Sequence, residues 1–164
     1  MNIDLNNPQT LYIIAGAVFC FVALFLWRML RKERDPLPEL DPNCIWHCEV
    51  VKVDKIYDGD TFFAHVKGHK PIDGKPVGIR IRGIDTPEMK DRRPAVKKKA
   101  EAAKALVEAE FAAARKIHLY NVSMTDKYGR MLATVFCDRK DLAKMLLRKK
   151  LAKSYDGGAK KVWK

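Results

Sequence analysis

The sequence has 164 residues, with 32 Lys and Arg against 20 Asp and Glu, for a formal net charge of +12. That length allows one ordinary domain and an appendage. The four cysteines do not form a disulfide framework: Cys20 lies in an apolar run, Cys137 in a strand-like segment, and Cys44 and Cys48 flank Ile-Trp-His. Cys44, His47 and Cys48 also lack the second ligand pair that structural zinc needs, and the order is not the Cys-x-x-Cys-His of haem attachment. Residues 1–43 hold four basic and five acidic side chains, which leaves a balance of +13 in residues 44–164. A compact domain with that excess attracts a polyanion, and nucleic acid is the commonest one. The competing reading is a purely solubilising charge.

Asn7-Pro8 has the form of a helix start, with Asn as cap and Pro in the first turn. From Leu11 to Trp27 there are 17 residues without a charge. As a helix this run is about 25 Å long, the short end of what spans a bilayer. Tyr12 and Trp27 suit the two interfaces, and Arg28 can snorkel. A cleaved signal peptide would need a positive first segment and a small-residue cleavage site, and neither is present. The reading is therefore a transmembrane anchor over residues 1–34. Arg28, Arg31, Lys32 and Arg34 follow the run, so the positive-inside rule places the rest of the chain in the cytoplasm, at the inner face of the cell membrane. Residues 35–43 contain three prolines and read as a linker.

From residue 44 onward the pattern is that of one folded domain. Glu49–Tyr57, Thr61–Val66 and Pro76–Ile84 read as strands, the last with Ile79 and Ile81 on one face and Arg80 and Arg82 on the other. Pro94–Arg115 reads as a helix, with Ala95, Ala102, Leu106, Ala109 and Ala113 at helical spacing and Lys97–Lys99 facing water. Ile117–Val122 and Met131–Cys137 read as two more strands, and Asp141–Lys150 as a short amphipathic helix. The order β-β-β-α-β-β-α predicts an α+β domain built on a five-stranded Greek-key barrel of the OB type. Such a fold suits oligonucleotides but does not establish a function.

The chemistry lies in four short pieces: Asp58-Gly-Asp-Thr61, Arg80-Ile-Arg-Gly-Ile-Asp-Thr-Pro-Glu88, Asp126-Lys-Tyr-Gly-Arg130 and Leu151-Ala-Lys153. Taken alone, Asp-Gly between apolar runs is a hairpin signal. All four pieces in this order resemble the staphylococcal nuclease (thermonuclease) family, over about residues 48–156. The resemblance implies an OB barrel and a calcium-dependent phosphodiesterase that cuts DNA and RNA with little sequence preference. It implies that Asp60, Asp85 and the backbone carbonyl of Thr86 hold calcium. It makes Glu88 the residue that orients or deprotonates the attacking water, and Arg80 and Arg130 the phosphate-binding pair. Lys127 and Tyr128 fall near the nucleotide. Tyr155 has no clear register with the tyrosines that the family carries after Leu-Ala-Lys, and Met-Lys-Asp-Arg-Arg-Pro after Glu88 differs from the prototype.

The residue chemistry agrees with this resemblance. Calcium is a hard cation that takes carboxylate, carbonyl and water oxygens. Two guanidiniums and a metal offset the charge that builds on phosphorus, and Arg does so bidentately. Arg80 and Asp85 are five residues apart, which on an ideal strand puts them on opposite faces, so a bulge or turn at Gly83 has to re-aim one of them. Simpler readings apply to the neighbours: Asp58 as a turn residue, Arg82 as a solvated strand charge, and His65, His69 and His118 as scattered structural or exposed side chains. No protein partner is evident, and the expected partners are nucleic acid and, through residues 11–27, the lipid bilayer. A nuclease held at the inner face of a membrane suits destruction of incoming DNA. The alternative is an OB module that binds nucleic acid or acts as a scaffold without catalysis.

Overall fold

The computed structural model describes residues 20–22, 35–38, 46–68, 75–124 and 129–163. The expected span at 11–27 therefore lies outside the described residues, except for residues 20–22, which are helical. Lys127, Tyr128, Cys44 and most of the linker also lie outside them. Among the described residues no helix is long and apolar enough to cross a membrane. The chain divides into two units, residues 1–34 and 35–164. Asp35 already belongs to the second unit: its amide donates to the Arg139 carbonyl at 2.9 Å, and its carboxylate accepts from the Asp141 amide at 2.8 Å. The linker read from sequence thus starts as an attached residue.

Five strands close a barrel. β1 (Trp46–Ile56), β2 (Thr61–Val66) and β3 (Val77–Ile81) pair antiparallel in sequence. β5 (Ile117–Met124) pairs with β1 and β6 (Met131–Cys137), and β6 returns to β3 in parallel, with Arg80 opposite Leu132. β1 is long and carries register shifts between Val50 and Lys52 and between Val53 and Lys55. Such bulges bend a strand, which lets one strand serve both sheet directions and close the barrel. Three two-residue strands complete the set: β4 (Ile84–Asp85), β7 (Lys140–Asp141) and β8 (Lys153–Ser154), of which β4 and β8 pair with each other. The predicted five-strand barrel is thus present, and the short strands are additions that no sequence period announces.

Two helices pack on the barrel, α1 (Pro94–Ala113) and α2 (Leu142–Arg148). Pro94 starts α1 as expected, because its missing N–H is one the first turn would leave unused. The buried face of α1 is not the alanine stripe read from sequence. It is Val96, Ala100, Ala103, Val107 and Phe111; Ala95, Ala102, Ala109 and Ala113 are exposed and Leu106 is half-buried. Both stripes satisfy helical spacing, and the one carrying Val and Phe removes more apolar surface from water, so it takes the core side. Phe111 meets Phe62 edge-on, with ring centroids 4.9 Å apart, and Phe62 is fully buried inside the barrel. α2 is capped by Asp141, whose side chain accepts from the Lys144 amide at 3.1 Å.

Candidate active site

The acidic loop between β1 and β2 owes its shape to local hydrogen bonds. Tyr57 and Asp58 amides both donate to the Thr61 carbonyl, and the Asp60 amide donates to Asp58 Oδ1 at 3.0 Å. Asp58 is thus the turn residue expected of it, but a buried one. Burial, with the Asp60 charge beside it, pushes its carboxyl up to about 7. The glycine in this loop is needed for space. A Cβ on Gly59 would lie 2.7 Å from Ala103 Cβ of α1 and 2.9 Å from Thr86 Cγ2. The loop therefore lies tight against the helix and the segment after β4, and Asp60 arrives buried beside Thr86.

Asp60 is held from three sides. Its Oδ1 accepts from Thr61 Oγ1 at 2.9 Å and pairs with Arg80 Nη1 at 2.5 Å, and its Oδ2 accepts from the Thr86 amide at 2.9 Å. Arg80 lies on β3 with its guanidinium nearly buried, and Nη2 also donates to the Ile84 carbonyl at 3.0 Å and lies 3.6 Å from Asp85 Oδ1. The turn after Ile81 has Gly83 at φ +80°, a conformation that glycine adopts without a Cβ penalty, and β4 starts directly after it. That turn reverses the strand alternation, so Arg80 and Asp85 meet despite their odd spacing. The re-aiming expected at Gly83 is present.

Arg130 joins the same group. Its Nη1 donates to Thr61 Oγ1 at 3.1 Å, and Thr61 in turn donates to Asp60. Its stem passes over Gly78, where a Cβ would come within 3.1 Å of Arg130 Cγ. At the other end, Lys160 Nζ lies 3.0 Å from Asp85 Oδ1 and 3.0 Å from Glu88 Oε1. An unbroken run of contacts thus leads from Arg130 through Thr61, Asp60, Arg80 and Asp85 to Lys160 and Glu88. The structure brings together Asp60, Arg80, Asp85, Thr86, Glu88 and Arg130 from positions 70 residues apart in the chain.

Other readings change. Arg82 is not a solvated strand charge: it donates to the Asn121 carbonyl and to Ser123 Oγ, both at 2.8 Å, and ties β3 to β5. His118 has a structural contact, meeting His47 at 3.2 Å near the surface, and His47 stacks on Tyr120. Tyr155 makes its visible contact through the backbone, donating to the Gly83 carbonyl at 3.0 Å. Lys97–Lys99 are exposed as expected.

Sequence reading passed over Lys160 and Trp163 entirely. Trp163 is buried and its Nε1 donates to Asp85 Oδ2 at 3.2 Å. Arg93, gripped by Asp91, donates to the Trp163 carbonyl at 2.6 Å, and the Lys153 ammonium sits 4.5 Å above the indole ring. A tryptophan in an otherwise polar, lysine-rich stretch was the available signal, since a lone large aromatic there has to find cover. Burial alone lowers the Lys160 ammonium, but Asp85 and Glu88 together hold it above the ordinary lysine range.

A family model described as "Staphylococcal nuclease homologue" matches residues 78–162. The chain belongs to the staphylococcal nuclease family. The match takes in Arg80, Asp85, Thr86, Glu88 and Arg130, and extends over the segment that carries Lys160. Family membership brings a nuclease or nucleic-acid-binding role to this staphylococcal nuclease homologue.

The donor set suits a hard divalent ion. Asp85 Oδ1 is buried and is met by the charged groups of Arg80, at 3.6 Å, and Lys160, at 3.0 Å. The Lys160 ammonium marks a spot that attracts a cation between Asp85 and Glu88. Among the described residues no three His, Cys, Asp or Glu groups stand together to hold a metal by themselves. An ion held here would draw on Asp60 and Asp85 and would need carbonyl, water or phosphate oxygens for the rest of its shell, a mixture that calcium accepts.

Proposed function

We propose that this protein is a membrane-tethered, calcium-dependent endonuclease that hydrolyses phosphodiester bonds of DNA, and of RNA, with little sequence preference. The observation that carries the reading is the single run of contacts linking Arg130, Asp60, Arg80, Asp85 and Glu88. Asp60, Asp85 and the Thr86 carbonyl would hold the calcium ion. Bound calcium supplies Lewis-acid charge to a phosphate oxygen.

The chain's own groups account for the rest. Arg80 and Arg130 approach the site from β3 and from the start of β6, so a phosphate seated between them is met by two planar forks of N–H donors. In this state both guanidiniums spend donors on Asp60 and Thr61, and an incoming phosphate replaces those contacts. Glu88 lies at the exposed rim, within reach of water. It takes the proton of a water whose oxygen forms the new bond to phosphorus, while the P–O5′ bond breaks and the 5′ oxygen leaves with a solvent proton. The products are a 3′-phosphate end and a 5′-hydroxyl end. Lys127 and Tyr128 are assigned to the nucleotide beside that phosphate. Unpaired or frayed strands are the preferred substrates, because a barrel surface reaches them without opening a duplex.

The anchor at residues 11–27 is proposed to hold the nuclease at the cytoplasmic face of the inner membrane, where it degrades incoming foreign DNA. Protease added to spheroplasts should leave the nuclease domain intact, and digestion from outside would reverse that orientation. For the activity itself, purified protein should shorten DNA in calcium and stop when EDTA is added. Retarded DNA of undiminished length, with or without EDTA, would identify a non-catalytic binding module instead.

A further inference from the structure

The stretch 155–163 passes over the proposed site and meets it at Asp85 and Glu88. It is fixed at both ends. Near its start, β8 pairs with β4, placing Lys153 opposite Asp85, and the Tyr155 amide donates to the Gly83 carbonyl at 3.0 Å. At its far end Trp163 is buried, with its carbonyl held by Arg93 at 2.6 Å, and the Val162 carbonyl accepts from Lys153 Nζ at 2.7 Å. Between these anchors residues 156–162 are exposed, and Gly157 takes φ +98°.

Two groups of this stretch take the two oxygens of Asp85. Lys160 Nζ stands 3.0 Å from Oδ1, and Trp163 Nε1 donates to Oδ2 at 3.2 Å. The same ammonium holds Glu88 Oε1 at 3.0 Å. The Lys160 side chain is about half exposed (53%), so it is the part of the stretch most easily withdrawn. Asp60, by contrast, has no contact with this stretch among the bonds described; its partners are Thr61, Arg80 and Thr86.

We propose that the 155–163 stretch is a built-in inhibitory strap, in which Lys160 is a tethered cation that a divalent ion must displace from Asp85 and Glu88 before the site can work. This rests on the calcium-dependent reading above. One ammonium cannot share Asp85 Oδ1 with a metal ion, and while it holds Glu88 Oε1 that oxygen is unavailable to water. A divalent ion doubles the charge facing the same carboxylates and binds oxygen directly, so it wins once its concentration is high enough. Trp163 keeps the strap attached after Lys160 leaves. The device sets a calcium threshold, which suits a nuclease facing a compartment where free calcium is scarce.

The experiment titrates calcium chloride alone into the full chain by calorimetry, without nucleic acid. Lys160→Met should bind calcium about three- to tenfold more tightly than the parent, the range expected when a half-exposed ion pair stops competing. Lys161→Met makes the same charge change one residue along and should move the affinity by less than about twofold, the size of a screened surface-charge effect. Backbone hydrogen exchange across residues 156–162 should speed up in the parent when calcium is added, and should already be fast in Lys160→Met without it. Equal calcium affinity in parent and Lys160→Met overturns the strap and leaves the calcium-dependent reading intact. An equal gain in both lysine variants also overturns it, since a general field would then account for the effect. Absence of calcium binding in every protein overturns the strap and the calcium-dependent reading together.

Discussion

Asp60 and Asp85 are both buried acids touching Arg80, yet they are held in different ways. Asp60 is fixed by its neighbours in the barrel: Thr61 beside it on β2, Arg80 on β3 and the Thr86 amide after β4. Asp85 meets Arg80 at a longer 3.6 Å and is otherwise faced by Lys160 and Trp163 of the 155–163 stretch. One acid is built into the scaffold, and the other looks toward the 155–163 stretch, the segment proposed to give way. The proposed reaction asks the site to admit an ion and a phosphate while the barrel stays folded, and that needs both kinds of support. The fixed side holds geometry, and the adjustable side supplies a way in.

Changes on the adjustable side should alter chemistry and leave the fold alone. The largest such effect is expected at Glu88, which is exposed and outside the barrel core. Glu88→Gln should lower turnover by about 10²- to 10⁴-fold, the usual worth of a positioned general base. DNA affinity should stay near the parental value, measured by fluorescence anisotropy, and the thermal midpoint should barely move. Digestion at the parental rate would remove Glu88 from the mechanism.

The fixed side should respond in the opposite way. Arg80→Met leaves Asp60 buried without its cation and removes the donor to the Ile84 carbonyl. Stability should fall by about 3–5 kcal/mol, as when one partner of a buried pair is removed. Urea unfolding near neutral pH measures this, and a loss no greater than that of an exposed arginine would show that Asp60 is held by its hydrogen bonds alone.

Arg82 sharpens the contrast, because it stands two residues from Arg80, in the turn that follows β3, but reaches β5. Arg82→Met should cost about 1–3 kcal/mol by stranding the Asn121 carbonyl and the Ser123 hydroxyl. Its kcat should match the parent, since its described hydrogen bonds, to Asn121, Ser123 and Leu132, serve to tie strands together. A large loss of kcat at parental stability would place Arg82 on the substrate.

The smallest effect is a pH dependence remote from the site. Burial holds the Asp141 carboxyl above its ordinary range, against the opposing hydrogen bond from the Lys144 amide. The folded chain then keeps this proton at a pH where the unfolded chain has lost it, so the contribution of Asp141 to stability declines as pH rises from the ordinary carboxylate range through the folded value. Asp141→Asn retains the cap and removes the titration. Its stability relative to the parent should therefore be higher at pH 7 than at pH 4, by urea midpoints at both. A pH-independent difference would mean that burial does not penalise this carboxylate.

Most of the barrel was legible in the sequence. Thr61–Val66 and Met131–Cys137 have the predicted bounds, because period-two alternation between turn residues marks a strand whichever partner it finds. The buried side of α1 was misread because its alanines repeat at several helical registers, and only packing against Phe62 selects the one containing Phe111. Arg82 looked solvated because alternation assigns a face without saying what lies across it. Asp60, Arg80, Asp85, Glu88 and Arg130 were singled out through the family resemblance of short motifs, and the structure brings these five into one run of contacts.

What the sequence determined by itself was the five barrel strands, the start of α1 at Pro94 and the identity of the charged groups, all properties of neighbours a few residues apart. Only the tertiary structure decided that Arg130 reaches Asp60 through Thr61, and that Lys160 and Trp163 fold back onto Asp85. Those contacts join residues 69 and 78 positions apart. Pairings of that kind follow from how a closed barrel and its trailing strand bring distant segments together, and no local pattern encodes that closure.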